Sequence, residues 1–169
     1  GGGTAAHEQR HADRLGCFLE TGAVLGRRAG VGCDAHVALG ADRDGKRDLL
    51  VGSGSDGTVR FFANTNTDAQ PLLAPGVLLT LGGGSLQVSY GATPYIHDWD
   101  EDGLPDLLCG DYYGNVSLFR NTNAIGLPAY AFKAQVQAAG QPVLLGARAV
   151  ARVSDWDGDG LKDLVGSSS

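Results

Sequence analysis

A chain of 169 residues, 43% hydrophobic and 19% charged, can bury one sizeable core, and its 27 glycines require a backbone that turns often. That mixture excludes a disordered chain, and no run approaches the roughly 18 apolar residues of a membrane span. The net charge of −6 is uneven: 12 of the 19 acidic residues fall in three short segments with no Lys/Arg stripe to balance them, which argues against nucleic acid as a partner.

In chain order, residues 1–29 form an N-terminal segment. Within it, Leu19 to Gly26 (LETGAVLG) aligns with Leu81 to Val88 and with the segment ending at Leu145-Gly146, so it is predicted as the last strand of an incomplete unit. A first full unit, 30–90, contains GADRDGKRDLLVG ending at Gly52, SGSDGTVRFFANTNT over 53–67, and a predicted strand near Gly76 to Leu81. A second, 91–145, repeats this with DWDEDGLPDLLCG ending at Gly110, DYYGNVSLFRNTN over 111–123, and a strand near Ala131 to Gln137. A partial third, 146–169, carries DWDGDGLKDLVG ending at Gly166. The last aspartates of the three acidic segments, Asp48, Asp106 and Asp163, stand 58 and 57 residues apart, a fixed period that marks a repeat architecture.

Within each unit the apolar runs are four to seven residues long, alternate with period two, are rich in β-branched and aromatic side chains, and are separated by Gly/Asp/Asn turns. The chain is therefore all-β. About four antiparallel strands per repeat is the make-up of one propeller blade, and the chain holds roughly three such blades, which predicts a partial or oligomer-completed propeller.

The chemistry lies in the acidic loops. Asp98, Asp100, Asp102 and Asp106 occupy loop positions 1, 3, 5 and 9, with Gly103 at position 6 to permit the sharp turn and the carbonyl of Leu104 at position 7 as a further oxygen. Asp155, Asp157, Asp159, Leu161 and Asp163 repeat the pattern around Gly160. The first loop has Asp42, Asp44, the carbonyl of Lys46 and Asp48, but Gly40 stands at position 1, so weaker binding is predicted there. All-oxygen, multi-carboxylate coordination on a flexible loop selects Ca2+ over magnesium. No glutamate stands at position 12, where Cys109 and Gly166 occur, so these are not EF-hands.

The repeated DxDxDGxxDLLVG followed by YGNVxLFxNT resembles the FG-GAP/VCBS repeats of extracellular β-propellers, including the calcium loops of the integrin alpha-chain propeller. The resemblance covers about residues 30–166 and implies calcium ligation by the residues just named, an extracellular or cell-surface location, and a role in adhesion, recognition or structure.

Other motifs have plainer readings. Gly52 to Gly57 spells GxGxxG, but a predicted strand follows it instead of a helix, which makes it a hairpin turn. His7, His11, His36 and His97 accompany no nucleophile motif, and the clustered carboxylates suit a metal better than acid–base work, so the chain is not expected to be an enzyme. Cys17, Cys33 and Cys109 are odd in number and lack CxxC spacing, which leaves a Cys17–Cys33 bridge as one option and argues against zinc. Trp99 and Trp156 recur at loop position 2, where they suit packing between neighbouring blades or stacking on a sugar, and Tyr112 and Tyr113 share that ambiguity. Asn115-Val116-Ser117 is an N-glycosylation triplet. The absence of Met, even at position 1, is what a processed chain or an excerpt would show. The expected function is a calcium-binding extracellular structural or adhesive module. It would assemble with other copies by head-to-tail strand sharing or with the remainder of a longer chain; the alternative is a carbohydrate-binding propeller lectin with glycans as partners.

Overall fold

The computed structural model describes the backbone of residues 17–20, 24–27 and 33–168, with side chains from residue 40 onward apart from Lys133. The described residues form strands and turns without a helix. After a two-stranded hairpin, β1 (Cys17–Glu20) and β2 (Val24–Arg27), comes a four-stranded antiparallel sheet of β3 (Cys33–Leu39), β4 (Arg47–Ser53), β5 (Val59–Phe62) and β6 (Val77–Leu78). The short strands β7 (Thr80–Leu81) and β8 (Gly84–Ser85) follow. The same meander then recurs as β9 (Thr93–His97), β10 (Asp106–Gly110), β11 (Val116–Asn121) and β12 (Ala129–Gln135). A hairpin of β13 (Gln137–Ala138) and β14 (Gln141–Pro142) leads to a two-stranded pair, β15 (Val150–Ser154) and β16 (Asp163–Ser167), which occupies the places of β9 and β10. The Gly52 to Gly57 segment closes the β4–β5 hairpin, with the amide of Ser53 bonded to the carbonyl of Thr58 at 2.8 Å.

The segments predicted as single terminal strands, Leu81 to Val88 and the stretch before Leu145-Gly146, are folded back on themselves, and Leu19 to Gly26 spans parts of both β1 and β2. The reason lies in the turns of the first two. Gly82 and Gly83 have φ of 58° and 91°, and Ala139 and Gly140 have φ of 51° and 77°, the left-handed pairs that two-residue hairpins demand. β7 also reaches forward to pair parallel with β12, joining one unit to the next through the ladder.

Leu107 and Leu108 show how consecutive residues on one strand serve two cores. Every residue of β10 is buried, so its alternating side chains face opposite packed layers. Leu107 and Cys109 join Leu50, Val59, Phe61, Leu79 and Phe119 in a core shared with the first unit. Leu108 joins Val116, Leu118, Ala149, Ala151 and Val153 in a core shared with the third. Fully burying such a leucine contributes about 1.5–3 kcal/mol. Where the units meet, glycine sets the spacing. A Cβ on Gly52 would lie 2.0 Å from the carbonyl oxygen of Ala92, and one on Gly110 the same 2.0 Å from that of Ala149. No side chain fits at such a backbone approach, which explains why glycine stands four residues after the last aspartate in the first two segments.

Candidate metal centre

Each acidic loop connects the first two strands of its unit, so the loops share one place in the repeat: β3–β4, β9–β10 and β15–β16. Position 4 is left-handed in all three, as Arg43, Glu101 and Gly158 with φ of 65°, 63° and 79°, and position 6 likewise, as Gly45, Gly103 and Gly160 with φ of 83°, 82° and 84°. Two such residues in five turn the chain tightly enough to bring alternate carboxylates inward.

The last aspartate is the pivot of each loop. Asp106 is fully buried; its Oδ1 accepts the amide of Asn121 at 2.8 Å and its Oδ2 the amide of Trp99 at 3.0 Å. Asp163 accepts the amide of Trp156 at 2.8 Å, and Asp48 accepts the amide of Asn64 at 3.0 Å. Burial pushes the Asp48 and Asp106 carboxyls above the usual range, ahead of the amide hydrogen bonds that pull them down. The two asparagines are themselves pinned: the Oδ1 of Asn64 accepts the amides of Asn66 and Leu72, and that of Asn121 the amide of Asn123. Neither asparagine was singled out by the acidic pattern, although the recurring Asn-Thr-Asn at 64–66 and 121–123 was a signal for them.

The structure gathers three carboxylates in each loop within 4.8 Å of one another: Asp98, Asp100 and Asp106; Asp155, Asp157 and Asp163; and Asp42, Asp44 and Asp48. In the second and third loops the aspartate at position 5 stands outside that set. Asp102 Oδ1 accepts the amide of Leu104 at 2.8 Å, and Asp159 Oδ1 the amide of Leu161 at 2.7 Å. The second loop also holds an oxygen without a donor: Asp98 Oδ1 is buried and accepts no hydrogen bond, while its Oδ2 accepts the amide of Gly103 at 3.0 Å. A buried carboxylate oxygen left unbonded is costly unless a cation faces it, so the donor set fits a hard metal ion.

The first loop differs by more than its missing carboxylate. The amide of Gly40 bonds to the carbonyl oxygen of Lys46 at 2.7 Å, engaging the position-7 oxygen inside the loop. The ammonium of Lys46 sits 2.8 Å from Asp44 Oδ2, and that ion pair is the leading cause holding the Asp44 carboxyl below the usual range. This loop therefore carries its own cation.

Residues 98–166 match the family model of the FG-GAP-like repeat. Over this stretch the chain is similar to an FG-GAP-like repeat. The match begins on the first ligand position of the second loop and ends on the last glycine of the third, so the FG-GAP-like repeat spans both loops with a full set of aspartates. Together with the antiparallel sheets, the match is consistent with a β-propeller-type repeat module. No curated protein and no solved structure matches the chain.

Around the FG-GAP-like repeat the remaining candidate residues find definite places. Trp99 packs against the core that Ala149, Ala151 and Val153 supply from the third unit, the inter-unit role expected of loop position 2, whereas Trp156 is 77% exposed. In the first loop Ala41 fills that position and is buried in the core shared with the second unit. The side-chain nitrogen of Asn115 donates to the buried Asp111 at 2.8 Å, so the atom a glycan would take is engaged. His97 lies half-buried on β9, stacked against Tyr95, and its pKa is lowered chiefly by burial. Cys109 is buried, and its thiol donates to the carbonyl of Gly110 at 3.6 Å; a Cys17–Cys33 bridge would rest on side chains outside the described residues, and the side chains of His7, His11 and His36 lie outside them too. Among the described residues no helix is long and apolar enough to cross a membrane.

Proposed function

We propose that the chain is a calcium-binding extracellular module with a structural and adhesive role and no catalytic one. Calcium held at the Asp98 and Asp155 loops would rigidify the corners of adjoining blades. The observation that carries this reading is the donor-free, buried Asp98 Oδ1 beside Asp100 and Asp106, a cluster of like charges that a metal ion would neutralise. Leu104 and Leu161 would add their carbonyl oxygens, and the first loop, occupied by Lys46, would bind weakly or not at all. At a calcium concentration about 100 times Kd, each occupied site would stabilise the fold by roughly 2.7 kcal/mol. Calorimetric titration should count two sites, and chelator should lower the melting temperature. No heat of binding and an unchanged melting temperature would overturn the reading.

Assembly by strand sharing belongs to the same proposal. β10 is paired on both edges, by β9 and β11, while β16 is paired to β15 alone among the described strands, and Val165 on it and Trp156 in the preceding loop are exposed. A strand from a second copy, joined head to tail, or from further chain would fill the place that β11 takes on β10. Native mass in calcium separates these outcomes.

A lectin is the second reading. Tyr90 and Tyr112 meet edge to face at 5.4 Å, Tyr113 is 66% exposed beside them, and the guanidinium of Arg148 lies 5.9 Å from the Tyr112 ring centre. Exposed aromatic faces near a cation suit a sugar ring. Glycan-array binding lost in Tyr113→Ala would favour this reading over the structural one.

A further inference from the structure

We propose that Arg120 is a built-in competitor for the cation at the second loop and sets its affinity below that of the third. This rests on the reading of that loop as a calcium site.

Arg120 sits on β11 one residue before Asn121, whose amide is bonded to Asp106. The strand is thereby tied to the loop, which keeps the Arg120 backbone beside the carboxylates. Its Nε lies 3.1 Å from Asp100 Oδ2 and its Nη2 donates to Asp102 Oδ2 at 2.8 Å. One planar fork thus bridges the carboxylates at positions 3 and 5. With Asp102 Oδ1 already accepting the amide of Leu104, both oxygens of the position-5 carboxylate are engaged. An ion that recruits Asp102 must evict Nη2, and one that takes both oxygens of Asp100 must evict Nε. The guanidinium also neutralises part of the charge that would attract the ion.

The other two loops frame the comparison. Lys46 plays an equivalent part at position 5 of the first loop, on Asp44 Oδ2. In the third loop no ion pair to Asp159 occurs among the described residues, and its Oδ1 makes the same turn contact with Leu161. Lys162 does not fill the role, because its ammonium bonds to the carbonyls of Asp98 and Trp99 and pairs with Glu101 at 3.2 Å. Across the three loops the tethered cation is therefore a lysine within the loop, an arginine from the third strand and, among the described residues, none.

The Arg120 side chain is half exposed, so each of its two contacts is a surface ion pair, modest in strength and weakened by salt. Losing both should tighten calcium binding at the second loop by roughly threefold to tenfold. The test uses the whole chain with the third loop silenced by Asp155→Asn and Asp157→Asn, titrated with calcium at constant ionic strength. Arg120→Gln should bind more tightly than its parent by that factor. Arg120→Lys should fall between them, because an ammonium cannot hold both carboxylates with the geometry of a fork. In nitrogen-15 NMR of the parent, the Arg120 Nε–H resonance should shift as calcium is added. Calcium uptake by the parent that Arg120→Gln leaves unchanged or weakens, or an Arg120 resonance that does not move, would overturn the proposal while leaving the calcium reading intact. Absence of uptake by both chains would overturn both.

Discussion

Replacing Asp106 by alanine separates the structural role of the acidic loops from their role toward a metal. Asp106 accepts two backbone amides, from Asn121 at 2.8 Å and Trp99 at 3.0 Å, and is fully buried. A hydrogen bond to a charged group contributes about 1.5–3 kcal/mol, and the truncation also strands two donors, one of them on the buried Asn121. A loss of roughly 3–5 kcal/mol is expected even in chelator. For a chain of this size that is a fall of about 6–20 °C in Tm. Asp98→Asn removes no such support: the Asp98 carboxylate accepts the amide of Gly103, a bond an asparagine oxygen can keep, and the change relieves charge repulsion in the cluster. In chelator it should move Tm by no more than about 2 °C in either direction, whereas in saturating calcium it should forfeit most of the ligand-linked stabilisation. The assay is thermal unfolding of both variants with and without calcium, followed by circular dichroism. Equal losses for the two variants in chelator would refute the division of labour between a structural pivot and a ligand.

Further outcomes follow from the same geometry. In calcium, Asp100→Ala should cost more stability than Asp42→Ala by denaturant titration, because the first loop already holds Lys46 on Asp44 and engages its own position-7 carbonyl. Gly110→Ala should destabilise by about 1–3 kcal/mol in the same assay, since the added methyl meets the carbonyl of Ala149, and Gly103→Ala should lose part of that through its φ of 82° without any clash. Metal-free protein should gain stability as pH falls from neutrality towards the ordinary carboxylate range. The raised carboxyls of Asp48 and Asp106 take up protons in the folded state above the unfolded value near 3.8, so their contribution is present below that value and lost as pH rises through the folded pKa. The lowered carboxyls of Asp44 and Asp56 act on the other side of it, losing stability only as pH falls further. In calcium the trend above the ordinary carboxylate range should reverse, because protons compete with the ion; melting temperatures on a pH series with and without chelator check both signs. Acrylamide should quench the fluorescence of Trp156 more than that of Trp99, read in the two single-tryptophan variants, and equal quenching would contradict their different packing.

Period-two apolar runs, a repeat of 58 and 57 residues between the last aspartates, and glycine at loop position 6 were enough to define four-stranded antiparallel units and three acidic loops from the chain alone. These are local properties: strand alternation and left-handed turns are dictated by neighbouring residues, and identical local patterns fold alike wherever they occur. The Gly40 vacancy was equally legible, because a missing carboxylate is a property of one position. What only the tertiary structure decided is what arrives at those loops from elsewhere. The sheet register delivers the amide of Asn121 to Asp106 across 15 residues and carries Arg120 to Asp102 across 18. Nothing in the acidic pattern marks either partner. The hairpins at Thr80–Ser85 and Gln137–Pro142, read as single strands, turn on the exposed left-handed pairs Gly82-Gly83 and Ala139-Gly140. The role of Gly52 and Gly110 likewise became visible only across the gap to Ala92 and Ala149. Backbone turns are governed by their own residues, whereas the charge balance of a loop depends on every strand that packs beside it, and that sum exists only once the chain has folded.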